Sequence, residues 1–346
     1  MKKNELKDNS WKPTEKWHGV NLLGMFRKPD DTSDFRAKGY FDEEYFKWLR
    51  DWGFNFARLP MDYQHFIVGD DKFVMNEEGF GKVDKAVEFG QKYGIHIQLC
   101  LHHAPGFSIL SIPGETRDLQ ENPESQRAFC GLWQTFAKRY AGIPNESLSF
   151  NPLNEPNGFT TEQFVKVFGD TIEAIRKADP TRFVMLDGNR VASEPVPQFF
   201  NVKSTGQAFR GYTPHALTHY KAIYIKAQPK NEPSWPCLPG PEDDPDLWIW
   251  EQPEKTLKKY DWVIETGYPV MVGEFGCGKG TRHDVCLKWM EHCLLLWTEK
   301  GLSWAIWNMD GPFGFMDSAR ADVDYEDFHG RKLDRKMLNL LQRFMV

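Results

Sequence analysis

The sequence predicts a single (β/α)8 TIM barrel with an extended loop after the sixth strand, and three observations carry that expectation. Short β-rich runs alternate with amphipathic helical stretches along the whole chain, the pattern of parallel strands joined by crossover helices. Eight such units fit within 346 residues, an ordinary size for one closed barrel with decorated loops. The first run leads into Leu22-Leu23-Gly24-Met25-Phe26, which lacks the glycine-rich turn of a doubly wound nucleotide-binding sheet.

The candidate strands are residues 19–23, 54–59, 96–101, 147–152, 183–186, 208–212, 269–273 and 302–307. Between and after them, 43–52, 83–93, 126–140, 161–178, 253–266, 282–300 and 333–344 show helical periodicity. One stretch breaks the rhythm. Residues 227–253 are rich in Pro, acidic residues and Trp, and a long loop in a compact domain is more often functional than idle. It follows the sixth strand and should overhang the barrel mouth. Nothing resembles a flexible linker, so residues 1–346 are expected to form one catalytic domain with that insertion.

Composition narrows the partners. A formal net charge of −6 argues against nucleic acid or an anionic membrane and is compatible with a neutral polymer. The chain carries 13 Trp, 11 Tyr and 26 Phe; flat aromatic faces stack on sugar rings, so this surplus mildly favours carbohydrate. Residues 1–16 are polar and charged with no apolar run, so neither a secretory signal nor a membrane anchor is expected. The six cysteines are scattered without framework spacing, which fits free thiols in a reducing cytoplasm. A chain whose signal had been removed would look the same. A monomer or weak homo-oligomer is expected.

Catalytic groups in such barrels come from the C-terminal ends of several strands. Here the second run carries Arg58 with Asp62 behind it, and the third ends His102-His103. The fourth runs into Asn154-Glu155-Pro156, and the sixth holds Tyr212 with His215, His219 and Tyr220 close behind. The seventh ends Gly273-Glu274 and the eighth Trp307-Asn308. Glu155 and Glu274 should face each other across the mouth. Acetal hydrolysis needs one proton donor and one nucleophile or base, and in retaining enzymes the two carboxyl groups lie roughly 5–5.5 Å apart. The nucleophile must stay ionised, which a nearby cation favours; Arg58 is the candidate. The acid must hold its proton, helped by the negative charge beside it. Asn154 is placed to hydrogen-bond the sugar 2-hydroxyl.

The run Leu153-Asn154-Glu155-Pro156 resembles the acid/base motif of glycoside hydrolase family 5, the cellulase family of clan A. Residues 53–60 (GFNFARLP) are similar to that family's arginine strand, 102–106 (HHAPG) to its histidine strand and 272–276 (VGEFG) to its nucleophile strand. The resemblance extends from about Gly19 to Trp307, where the family places an aromatic platform beneath the cleaved sugar. It implies the barrel fold, a retaining mechanism with Glu155 as acid/base and Glu274 as nucleophile, and no metal. One position departs. The family shows His-x-Tyr at the sixth strand, whereas this chain has Arg210-Gly211-Tyr212. Tyr212 fits the tyrosine position and the role of Arg210 is open; an alternative register would bring His219 and Tyr220 into the site.

Blander readings accompany these. Adjacent residues on a strand point to opposite faces, so His102 and His103 are poorly placed to share one ion; no metal and no cofactor are expected. His103 should bind sugar hydroxyls or support the nucleophile, and His102 should be a packed neighbour. Trp235, Trp248 and Trp250 are either loop anchors or sugar platforms. Residues 314–322 either line a subsite or form a loop held by ion pairs, and Cys277 should be a small packing residue. The expected function is a retaining hydrolase of β-1,4-glucan or its oligosaccharides, using Glu155 and Glu274 with Arg58, His103, Asn154, Tyr212, His219 and Trp307 on the substrate. β-Mannanase, xyloglucanase and exo-β-glucosidase share those residues. A carbohydrate-binding barrel without catalysis and a metal-dependent barrel hydrolase are the readings of other classes.

Overall fold

A computed structural model describes residues 11–31, 33–110 and 115–345. The N-terminal stretch considered for a signal or anchor lies outside them as far as residue 10. Eight strands form the barrel wall: β1 (His18–Asn21), β2 (Phe56–Asp62), β3 (His96–Ala104), β4 (Leu148–Asn151), β5 (Val184–Asp187), β6 (Thr205–Gly211), β7 (Val270–Phe275) and β8 (Ser303–Ile306). Each pairs in parallel with the next, and β1 closes the ring on β8 through His18 opposite Trp304.

The long helices are α1 (Glu43–Trp52), α2 (Glu77–Tyr93), α3 (Pro123–Arg139), α4 (Thr161–Ala178), α5 (Pro253–Ile264), α6 (His283–Glu299) and α7 (Arg335–Gln342). Their starts follow local chemistry. Asn76 and Asn122 cap α2 and α3 by accepting from Glu78 N–H and Glu124 N–H, and Thr160 with Gln163 forms a capping box on α4. The crossover from β5 to β6 departs from the regular pattern. It holds only a short turn at Asn189–Ala192 and a 3-10 turn at Pro197–Phe199. Pro195 and Pro197 restrict helix formation there. Among the described residues no helix is long and apolar enough to cross a membrane.

The barrel is filled in layers. Phe56, Phe183, Met185, Ala208, Met271 and Ala305 form an apolar floor, and Trp17 plugs it from below. The Trp17 ring stacks on Phe56 with centroids 5.1 Å apart. Above this floor, where the strands terminate, stand Arg58, Asp187, Arg210 and Glu274. A second, larger core lies between the outer face of the wall and the helices.

Close strand approach makes Gly19 irreplaceable: a Cβ there would sit 2.0 Å from the Phe56 carbonyl oxygen. Gly19→Ala is expected to cost roughly 3 kcal/mol by forcing β1 from β2. Gly131→Ala, on α3 where a Cβ meets nothing within 4 Å, should instead gain about 0.5–1 kcal/mol. Thermal or denaturant melting of the two variants against wild type checks both signs.

Candidate active site

Side chains two apart on a strand share a face, and this turns the apolar floor into a charged layer. Above Phe56 stands Arg58, above Met185 stands Asp187 and above Ala208 stands Arg210. On β7 the pairing register slips between Val272 and Glu274, and such irregularities re-aim side chains. Gly273 lies at the slip, and a Cβ there would come within 2.7 Å of Arg210 Nη1. That glycine makes room for the arginine.

Arg58 is fully buried. Its Nε donates to Asn151 Oδ1 at 2.9 Å, and Nη1 donates to Asn21 Oδ1 at 2.9 Å and Glu274 Oε1 at 2.6 Å. Nη2 donates to Asn154 Oδ1 at 2.9 Å and to Cys100 Sγ at 3.0 Å. Burial holds the Cys100 thiol neutral, its pKa pushed up to about 12. The second oxygen of Glu274 accepts from Tyr212 Oη at 3.0 Å. Burial and the facing carboxylate raise the Tyr212 pKa well above its ordinary value, so the phenol keeps the proton it donates.

Arg210 reaches across the same layer. Its Nε donates to Glu155 Oε1 at 2.9 Å, while Nη2 contacts Asn154 Oδ1 at 2.8 Å, Glu274 Oε1 at 3.4 Å and the Asp187 carboxylate. One guanidinium thus bridges the two glutamates. Asp187 also accepts the backbone N–H of Glu155 at 2.8 Å. That bond holds Glu155 at φ 48°, a left-handed conformation that costs a non-glycine residue of order 1 kcal/mol or more. The Glu155 side chain remains 14% exposed, toward the opening, against 4% for Glu274. Burial first, opposed by Arg210 and reinforced by Glu274 and Asp187, raises its pKa from 4.5 to about 7.

The remaining predicted residues surround this pair. His103 Nδ1 is 2.7 Å from Asp62 Oδ2. His102 Nε2 is 3.4 Å from Asn154 Nδ2, and burial holds the ring neutral. Since both arginines occupy Asn154 Oδ1, its amide NH2 is the group left to donate. The Trp307 ring lies 5.5 Å from His102 and 5.5 Å from Phe26. His219 packs edge-on against Tyr212 with centroids 5.2 Å apart, and its Nδ1 is 2.9 Å from Thr218 Oγ1. Of the two sixth-strand registers, the structure therefore sets Tyr212 on Glu274 and His219 one layer behind. Among the described residues no cluster of three His, Cys, Asp or Glu is arranged to hold a metal.

The stretch 227–253 follows β6 and separates its three tryptophans. Trp250 is buried and donates to Asp244 O at 2.9 Å, and Trp235 packs against His292 of α6. Trp248 alone is exposed, at 54%, edge-on to His215. Residues 314–322 are tied down: Asp317 pairs with Arg331 at 2.6 Å, Arg320 donates to Thr281 O, and Asp322 accepts from His283 N–H. Cys277 is fully buried. Sequence reasoning missed Asp187, Asn21 and Asn151. A carboxylate directly after the apolar run Phe183-Val184-Met185-Leu186 was the available signal for Asp187.

A (β/α)8 barrel with paired glutamates at its C-terminal mouth is the build of a glycoside hydrolase. Residues 12–312 match the family model of Cellulase (glycosyl hydrolase family 5), and the chain belongs to that family. It is a glycosidase, and the retaining mechanism is general to the family. The chain is 31% identical over 300 residues to Cellodextrinase A of Ruminococcus flavefaciens, covering 82% of this chain and 83% of that one. It is 23% identical over 352 residues to Endoglucanase C of Acetivibrio thermocellus, covering 94% and 97%. A solved glycoside hydrolase superposes with a TM-score of 0.84 at 32% identity, covering 96% of this chain and all of that one. An endoglucanase from Thermotoga maritima shares the fold at 20% identity and a TM-score of 0.70, covering 94% and 96%.

The raised pKa of Glu155 has a signed consequence for stability. Between 4.5 and about 7 the folded chain holds this proton and the unfolded chain does not. The folded state binds more protons there, so stability falls as pH rises through that window. Glu155→Gln stays neutral and escapes the loss. Its stability relative to wild type is expected to grow by about 2 kcal/mol between pH 4.5 and 8; parallel melting curves across that range would contradict this.

Proposed function

We propose that Glu155 is the general acid/base and Glu274 the nucleophile of a retaining hydrolase acting on β-1,4-linked glucan or its oligosaccharides. One observation carries the assignment. Glu274 is anchored through one oxygen to Arg58 and through the other to Tyr212, whereas Glu155 sits at the opening with a proton retained to about pH 7. An anchored carboxylate suits attack on carbon, and a protonated one suits donation.

The steps follow. Glu155 gives its proton to the glycosidic oxygen as Glu274 attacks the anomeric carbon and the carbon–oxygen bond to the leaving sugar breaks. The glycosyl ester has no negative charge on Glu274, so Glu155, now ionised, takes a proton from water. That water attacks the anomeric carbon, displaces Glu274 and restores both groups. Asn154 donates its NH2 to the sugar 2-hydroxyl, Trp307 supplies the platform, and His103, oriented by Asp62, binds a sugar hydroxyl. Tyr212 and Arg58 act through Glu274, and His219 supports Tyr212 from behind.

The β-1,4-glucan assignment draws on relatives that align over most of both chains and are named endoglucanases and a cellodextrinase. Mannan, xyloglucan and exo-glucosidase activities are less favoured on the same ground. The cellodextrinase likeness and six free thiols favour short oligosaccharides met in a reducing compartment. The continuous core from Val20 to Leu341 supports one catalytic domain, acting as a monomer or weak homo-oligomer. A binding barrel without catalysis is disfavoured because two buried guanidinium groups converge on the paired carboxylates.

Glu274→Ala should lower hydrolysis of an aryl β-cellobioside at least about a thousandfold. Added azide should then restore turnover and give the sugar azide with inverted configuration. Retained activity without azide would remove Glu274 as nucleophile.

A further inference from the structure

We propose that Asp187 is a positioning residue whose negative charge offsets that of Arg210, so that the arginine braces both glutamates while Glu155 keeps its catalytic proton. This rests on the assignment of Glu155 as the acid.

The difficulty it resolves is electrostatic. A guanidinium 2.9 Å from an acid carboxyl favours loss of the proton that the acid must donate. The charged groups around Glu155 come from separate elements: Arg58 on β2, Asp187 on β5, Arg210 on β6 and Glu274 on β7. The other titratable neighbours are neutral. Burial raises Cys100 of β3, Tyr224 of the loop after β6 and Tyr260 of α5, and lowers His102 of β3; Tyr212 is raised likewise. Two cations therefore face the Asp187 and Glu274 carboxylates, and the site is balanced when Glu155 is protonated. Without Asp187 it would be balanced only with Glu155 ionised.

The balance survives the reaction. In the glycosyl-enzyme, Glu274 is an uncharged ester and Glu155 a carboxylate, so two cations again face two anions. Charge moves from one glutamate to the other across Arg210, which contacts both. Asp187 is fixed for this task. It accepts from Asn151 Nδ2 at 3.2 Å and from the Glu155 N–H at 2.8 Å in addition to Arg210. The backbone bond also aims Glu155, so charge and position are set by one side chain.

The test is a titration of the Glu155 carboxyl by carbon NMR, assigned with Glu155→Gln, in wild type, Asp187→Asn, Arg210→Gln and the double variant. It is paired with kcat/KM against pH on cellotetraose. Asp187→Asn should lower the Glu155 pKa and the basic limb of the rate profile by about one pH unit. Its rate should fall about tenfold more at pH 8 than at pH 5. Arg210→Gln should move both upward, and the double variant should return within about half a unit of wild type. A loss of kcat at every pH with the Glu155 titration unmoved in Asp187→Asn would reduce Asp187 to a structural role and overturn the proposal. If Asp187→Asn does not fold, an unmoved or lowered Glu155 titration in Arg210→Gln overturns it equally. A wild type inert on every β-glucan defeats the substrate assignment, and the titration still decides the charge balance by itself.

Discussion

The buried Arg58 guanidinium is the interaction on which the rest of the site depends. An arginine has five N–H donors and cannot shed its charge inside a protein. Here all five are directed at acceptors: Asn21 on β1, Cys100 on β3, Asn151 at the end of β4, Asn154 just beyond it, and Glu274 on β7. A single side chain from β2 thereby gathers groups from both sides of the barrel. Removing it would strip Glu274 of its 2.6 Å ion pair and leave that buried carboxylate to Tyr212 and the longer Arg210 contact, which costs several kcal/mol.

A charged layer of this density is tolerable because of what lies beneath it. The Trp17 plug and the floor of Phe56, Met185, Ala208 and Met271 exclude water from below, so electrostatic contacts above act in a medium of low polarity. The same confinement makes unpaired groups expensive. Arg210 Nη1 is buried and finds no hydrogen-bond partner among the described residues, and Glu155 holds a left-handed backbone. Both departures fall at the paired glutamates, where preorganisation offsets them.

Most of the barrel was legible in the sequence because period-two strands and period-3.6 helices leave distinct patterns, and α1 and α4 match their expected bounds in full. Glu155, Glu274 and Arg58 were legible because a charge at the end of an apolar run needs a reason. Asp187 was not, since the fifth run was ended at Leu186, one residue short of the carboxylate. Without that partner, Arg210 had no evident role. Asn21 and Asn151 look like ordinary strand polars until the ring closes on Arg58. Which loop tryptophan is exposed depends on tertiary packing against His292 and Asp244, which no local pattern encodes. No helical stretch is predicted between the fifth and sixth runs, and the crossover there holds only short turns.

The central claim is that the network delivers Glu274 to carbon and leaves Glu155 the proton. Its most direct test is covalent trapping with a 2-deoxy-2-fluoro-β-cellobiosyl fluoride, followed by peptide mass spectrometry. The account predicts one fluorosugar per chain, esterified to Glu274 and released slowly on adding an acceptor sugar. A label on Glu155 or Asp187, or turnover with no adduct and an initial product of inverted configuration, would contradict it.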